Sequence, residues 1–176
     1  MNKALCEGNL QFEFLDFLRY ENFDLAQGNP NGLYPVDFFA EDNNHLYFIE
    51  VKDFQHPKST NSSEDFNMLL EIIDTGSEKV KSKPSELTRQ TSTKIKDSLL
   101  RRYASGEKMH KKVIYLLLIN CDKLGANERL LIYEKMQGAM PTGLNNKKFC
   151  AFKKFSFYIT DVAELAQYKI VCTPIQ

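Results

Sequence analysis

The sequence predicts an α/β fold with a central mixed β-sheet flanked by helices on both faces. Two apolar, aromatic-rich runs, 32–40 and 46–54, are joined by the polar residues 41–45, a pattern typical of a β-hairpin. In the second half of the chain, strand-like apolar runs alternate with helix-like segments, which favours a mixed sheet covered on both faces. At 176 residues, the chain is long enough to bury a sizeable core, and we treat 1–176 as a single domain.

The elements around the hairpin are predicted from local patterns. Residues 3–20 are expected to form an amphipathic helix, because their apolar residues recur at helical spacing. A turn-rich loop follows the hairpin, and then come a short helix over 63–76 and a basic linker over 79–84. A long helix is expected from 84 to about 104, with Ser82 or Ser85 as the candidate cap. Its inward stripe would be Leu87, Thr91, Ile95, Leu99 and Tyr103.

The remaining elements alternate. Residues 112–120 are the most continuous apolar run, which predicts a central strand buried on both faces. A helix over 126–137 and a strand over 149–160 are expected next. A short helix over 161–167 and a last strand over 168–172 complete the chain.

Composition restricts the class of protein. With 43% hydrophobic and 26% charged residues, the chain is typical of a soluble globular protein. It has no apolar run of about 18 residues that would predict a membrane span, and its first residues lack the apolar core of a signal peptide. The four cysteines are scattered, so we expect reduced thiols and a cytoplasmic location rather than a disulfide framework or a cysteine metal site.

Charge is unevenly distributed although the net charge is zero. Residues 1–78 hold fifteen acidic and four basic residues, whereas 79–112 hold eleven basic and three acidic residues. A basic segment beside an acidic site suits a phosphate polymer held against a metal centre. Taken alone, the basic run is better explained as a solvated helix face.

Charged residues interrupt the apolar hairpin strands. Asp37 lies in the first strand, and Glu50 and Lys52 lie in the second. A charge in a buried strand is costly unless it is paired or binds a metal. Glu50 and Lys52 are two residues apart and therefore point to the same face. Two carboxylates and a lysine on one side of a hairpin predict a site for a hard cation, Mg²⁺ or Mn²⁺.

This pattern resembles the PD-(D/E)xK nuclease superfamily. The first half of the motif would be Pro35-Val36-Asp37, and the second half would be Glu50-Val51-Lys52. Residues 8–18, which contain Glu13, resemble the acidic opening helix of Holliday-junction-resolvase type nucleases. The resemblance implies a restriction-endonuclease-like core over about 8–120, with helix and strand additions over 121–176.

The resemblance also implies metal-dependent hydrolysis of phosphodiesters. Asp37 and Glu50 would bind Mg²⁺ or Mn²⁺ together with the backbone carbonyl of Val51. Lys52 would orient or help to deprotonate the attacking water and stabilise negative charge. Glu13 would act beside the site or help to hold a second metal.

DNA is the substrate that the resemblance implies, because most members of the superfamily cut it. No zinc finger or basic zipper is present to read sequence, so specificity would come from DNA structure or from a protein partner. A homodimer is expected, because cutting two strands needs two sites. The candidate nucleic-acid contacts lie on the long helix: Arg89, Gln90, Lys94 and Arg101.

Other interpretations remain open. The chain could be a non-catalytic interaction module on the same fold. It could also be an unrelated α/β interaction protein, such as an antitoxin or immunity protein, whose acidic first half faces a partner. Glu50 and Lys52 could then be a solvent-facing pair.

Overall fold

The computed structural model describes residues 4–24, 32–55, 67, 85–142 and 153–175. The predicted short helix over 63–76, apart from residue 67, the basic linker over 79–84 and the loop after the hairpin lie outside these residues. The described elements, in chain order, are β1 (Leu5–Glu7), β2 (Leu10–Phe14), β3 (Arg19–Asn22), β4 (Phe38–Glu41), β5 (His45–Asp53), α1 (Glu86–Ala104), β6 (Lys112–Asn120), α2 (Ala126–Met136), β7 (Lys154–Thr160) and β8 (Ile170–Pro174). Two short 3-10 helices, Gln137–Ala139 and Glu164–Tyr168, follow α2 and β7 respectively.

A mixed five-stranded sheet forms the centre, in the order β3-β4-β5-β6-β7. The first three strands are antiparallel neighbours, and β5, β6 and β7 run parallel. Parallel neighbours need a crossover connection, usually through a helix; α1 lies between β5 and β6 in the chain, and α2 lies between β6 and β7. The predicted hairpin, the long helix with its Ser85 cap and the buried central strand are confirmed.

The two faces of the sheet are covered differently. Both α-helices pack on one face, where Leu87, Ile95 and Ile132 join a core with alternate residues of β4–β7. The other face is covered by a three-stranded antiparallel sheet, β1-β2-β8, and by the 3-10 helix Glu164–Tyr168. The expectation of helices on both faces is met only in part by the described residues, because a second sheet and a 3-10 helix, rather than α-helices, cover one of them. Neither described α-helix is long and apolar enough to span a membrane.

The predicted N-terminal helix is wrong. Residues 5–22 form β1, β2 and β3, because Leu10, Phe12 and Phe14 alternate with polar residues and all three are buried. Gly8 has φ +56°, in the left-handed region, and opens a two-residue turn between β1 and β2. A Gly-Asn pair between strands is a hairpin signal, and here it outweighs the helical spacing of the larger residues.

Several smaller expectations need correction. Tyr103, expected in the inward stripe of α1, is 70% exposed. The strand predicted over 149–160 is described as Lys154–Thr160, and its first residues lie outside the described part. The last strand exists but pairs with β2 in the smaller sheet.

Ser98 fixes α1 to the segment that leads into β4. Its side-chain oxygen accepts a hydrogen bond from the Val36 backbone N–H at 2.9 Å and donates one to the Lys94 carbonyl at 2.7 Å. Asp97 adds a second tie by accepting the Tyr34 N–H at 2.9 Å. The start of β4 is therefore positioned by the helix that follows it in sequence.

We expect Ser98→Ala to lower the free energy of unfolding by about 1–3 kcal/mol, because the buried Val36 N–H loses its acceptor. Ser105→Ala is a matched control: Ser105 also donates to the carbonyl four residues earlier, Arg101, but is exposed. Urea unfolding of the two variants measures the difference. An equal effect at both serines would contradict the role given to Ser98.

Candidate metal centre

Asp37 and Glu50 are brought together by the pairing of β4 with β5. The antiparallel register places Phe38 opposite Ile49. Asp37, which precedes Phe38, therefore lies beside Glu50, which follows Ile49. Both side chains point to the face covered by α1, and their residues are only 4% and 1% exposed. The structure therefore places two carboxylates of the predicted motif on the same side of the hairpin.

The site lies where β5 extends beyond its partner. Pairing with β4 ends at Ile49, whereas β5 continues to Asp53 alongside β6. In this overhang the Val51 backbone N–H donates to Asp37 Oδ2 at 2.6 Å instead of to a strand carbonyl. The N–H and C=O groups of a single strand residue point to the same edge of its strand. The Val51 carbonyl, predicted as a metal ligand, therefore faces the same opening as Asp37.

Two lysines neutralise the carboxylates. Lys94 on α1 places its Nζ 2.7 Å from Glu50 Oε1 and 3.3 Å from Asp37 Oδ1. Lys52 Nζ lies 3.8 Å from Glu50 Oε1. Lys94, predicted as a nucleic-acid contact, thus belongs to the charge cluster itself.

Burial dominates the electrostatics of Glu50. Desolvation, and then the neighbouring charge of Asp37, raise its pKa to about 8, although Lys94 and Lys52 act in the opposite direction. Burial would lower the pKa of Lys94, but Glu50 and Asp37 raise it above its ordinary value. Lys94 therefore stays positively charged at neutral pH.

Tyr115 on β6 is close enough to Glu50 and Asp37 to be affected by their charges. It is fully buried, and its hydroxyl donates to the Thr91 carbonyl at 3.2 Å. Burial and the charges of Glu50 and Asp37 raise its pKa well above the ordinary value, so Tyr115 remains neutral.

Two further acids adjoin Asp37. Carboxylate oxygens of Glu7, Asp24 and Asp37 all lie within 4.8 Å of one another. Burial, followed by the charges of Asp37 and Asp24, raises the pKa of Glu7 to about 7. Neither Glu7 nor Asp24 was predicted from the sequence. Glu7 reaches the site through the β1–β2 hairpin, in a segment that was predicted as a helix.

Glu13 does not take the place expected of it. It lies on β2, between the buried residues Phe12 and Phe14, and is exposed. Among the described residues, Glu7 supplies the N-terminal carboxylate beside Asp37.

The other candidate nucleic-acid contacts on α1 point in different directions. Arg89 is exposed and ion-paired with Glu86, and Gln90 donates to the same Glu86 carboxylate at 3.2 Å. Arg101 is buried, with its guanidinium 4.4 Å from the centre of the Phe23 ring and donating to the Phe23 carbonyl. Arg101 therefore does not lie on the exposed basic face that such a contact requires.

The donor set fits a hard divalent cation. Two carboxylates and a backbone carbonyl supply the oxygen ligands that Mg²⁺ and Mn²⁺ prefer. An ammonium group already lies between the two carboxylates and acts as a stand-in cation. With Glu7 and Asp24, the four acids outnumber the two lysines, so the described cluster carries a surplus of negative charge when fully ionised.

Comparison with known proteins gives no family assignment. No family model matches the chain, and no match was found among curated proteins or among solved structures. Its function is therefore inferred from the site.

The raised pKa of Glu50 predicts a pH dependence of stability. A carboxyl whose pKa rises from 4.5 to about 8 on folding binds its proton more tightly in the folded state. Its contribution is therefore fully present below pH 4.5 and is lost as the pH rises towards 8. The slope for one such group is at most about 1.4 kcal/mol per pH unit.

We expect Glu50→Gln to flatten this loss, measured as the free energy of unfolding in urea between pH 5 and 8. Glu13→Gln, on the exposed side of β2, should leave the wild-type profile unchanged. The opposite result would be a wild-type stability that rises from pH 5 to 8, with the rise absent in Glu50→Gln. It would show that Lys94 lowers the pKa of Glu50 more than burial raises it.

Proposed function

We propose that this protein is a metal-dependent phosphodiesterase of the PD-(D/E)xK type that cuts DNA. The observation that carries the proposal is the convergence of Asp37 and Glu50 on one cationic atom, at the open end of β5. Lys52, on the same face of β5, completes the three-residue motif.

The order of elements supports the proposal. A strand preceded by Asp37 pairs with the strand that carries Glu50 and Lys52, and α1 and then β6, parallel to β5, follow. This is the order expected of a restriction-endonuclease-like core. The departure is at the N-terminus, where the described residues form a hairpin that supplies Glu7 in place of an acidic helix.

The residues have separate roles in this reaction. Asp37, Glu50 and the Val51 carbonyl would hold Mg²⁺ or Mn²⁺. When bound, the ion supplies Lewis-acid polarisation of the phosphodiester and neutralises charge that develops on it. Lys52 would orient the attacking water, and its positive charge would favour loss of the water's proton to solvent. The water oxygen bonds to phosphorus as the bond to the 3′ oxygen breaks, and the 3′ oxygen takes a proton from solvent, which gives the 5′-phosphate and 3′-hydroxyl products that the resemblance implies.

The exposed side of α1 is the surface we assign to the DNA backbone. Arg89 and Lys96 are exposed there, and a cation on this side adds sequence-independent attraction to phosphates. A homodimer and a protein partner that directs the enzyme to its target remain predictions, as does a cytoplasmic location.

The Lys94 contacts also support a second candidate function. An ammonium that pairs with both carboxylates satisfies them without a metal, as expected of a non-catalytic interaction module on this fold. The two candidates differ in metal dependence, because only the nuclease requires the carboxylates to accept a divalent ion.

A cleavage assay tests the proposal on supercoiled plasmid, single-stranded DNA and a branched junction, each with Mg²⁺, Mn²⁺ or EDTA. We expect cutting with either metal and none in EDTA. Asp37→Asn should abolish cutting, and Lys52→Met should slow it by at least about 10²-fold, the usual contribution of a proton-transferring group.

Glu13→Gln is the control, because it removes a carboxylate that the structure places outside the cluster. It should cut at the wild-type rate. Cutting in EDTA, or equal loss in Glu13→Gln and Asp37→Asn, would contradict the assignment. Failure to cut any substrate with all proteins folded would favour the interaction module.

A further inference from the structure

Lys94 occupies the position that a divalent ion needs. Its Nζ is within 3.3 Å of one oxygen of Asp37 and within 2.7 Å of one oxygen of Glu50. These are the two carboxylates that converge from β4 and β5, and neither is more than 4% exposed. An ion that binds both carboxylates cannot share this space with an ammonium group.

We propose that Lys94 is an internal counter-ion that holds the Asp37–Glu50 position in the absence of metal and leaves it when a divalent ion binds. The inference rests on the proposed metal site, and it adds a residue that sets the metal affinity of that site. Lys94 lies outside the Asp and Glu-x-Lys motif and comes from α1 instead.

The surroundings of Lys94 allow this exchange. Its side chain is 27% exposed, whereas that of Glu50 is 1% exposed, so the Lys94 side chain reaches solvent and that of Glu50 does not. A lysine side chain has a flexible four-carbon stem and is readily hydrated. The backbone is held in place separately, because Ser98 accepts from Val36 and donates to the Lys94 carbonyl. The side chain can therefore swing outward without movement of α1.

The exchange adds one positive charge to an acid-rich cluster and couples two binding events. Metal binding places two positive charges against the carboxylates and releases one ammonium toward the exposed side of α1, where a phosphate would approach. Since binding free energies are linked reciprocally, a phosphate that pairs with the released Lys94 would strengthen metal binding by the same factor. Lys94 thus acts as a positioning residue whose effect passes through the metal site.

The test is calorimetric titration of the whole protein with Mn²⁺ alone, for wild type, Lys94→Met and Lys108→Met. We expect Lys94→Met to bind Mn²⁺ at least tenfold more tightly, because the competing cation has been removed. Lys108→Met removes the same charge from an exposed position beyond the end of α1 and should change the affinity by less than about threefold, as expected of a screened surface charge.

A second measurement reports displacement directly. The side-chain ammonium signal of Lys94 in ¹⁵N-lysine-labelled protein, assigned by its absence from Lys94→Met, should be visible while the group is ion-paired and should disappear on addition of Mg²⁺. Lys94→Gln, which can still donate to Glu50, serves for the titration if circular dichroism shows that Lys94→Met is not folded.

The outcomes separate this inference from the proposed nuclease. If wild type binds Mn²⁺ and the Lys94 variants bind it no more tightly, or if the ammonium signal persists with metal, the counter-ion role is wrong and the metal site stands. If no variant binds Mn²⁺, both the role and the metal-dependent function fail. If Lys94→Met binds Mn²⁺ more tightly but the wild-type protein does not cut DNA, the counter-ion role is retained and the nuclease proposal is overturned.

Discussion

The burial of two carboxylates between the central sheet and α1 is the constraint on which the described site depends. An ionised carboxylate in an apolar interior is strongly unfavourable unless it is paired and hydrogen-bonded. Asp37 is compensated by the Val51 N–H and by Lys94, and Glu50 is compensated by Lys94 and Lys52. These contacts join β4, β5 and α1. The contacts that compensate the buried charges are therefore the same contacts that fix how β4, β5 and α1 are arranged.

Because β5 extends beyond the end of β4, the backbone of β5 beside Asp37 is left without a strand neighbour on that side. A β4 that continued beside β5 past Ile49 would use the Val51 backbone groups for strand pairing. Instead, β5 is paired only with β6 over its last four residues, and a side-chain carboxylate accepts the Val51 N–H. The chain before β4 does not pair with β5, and it is held by Ser98 and Asp97 of α1. A helix thus does the positioning that a strand neighbour would otherwise do.

The sequence predicts the parts of the fold in which local pattern and tertiary packing agree. The hairpin, α1 with its Ser85 cap and the apolar strand β6 satisfy both conditions. The N-terminal segment does not, because Leu10 and Phe14 fit a helical and an alternating pattern equally, and only packing against the central sheet decides between them. The same ambiguity concealed Glu7 and left Glu13 as the candidate acid. Strand alternation places Asp37, Glu50 and Lys52 on one face, but the inward turn of Lys94 depends on how α1 lies over the sheet, which no local pattern encodes.

The Lys94 ion pairs reconcile the stability of the fold with the needs of a cation site. A cluster of carboxylates alone would oppose folding through mutual repulsion and desolvation, as the raised pKa values of Glu50 and Glu7 show. A permanent counter-ion deep in the core would stabilise the fold but would exclude any other cation. Lys94 avoids both extremes, because it is close enough to pair with Glu50 and Asp37 yet remains partly exposed. Under the proposed exchange, a counter-ion that can leave would let the same carboxylates serve both the free protein and a metal-bound form.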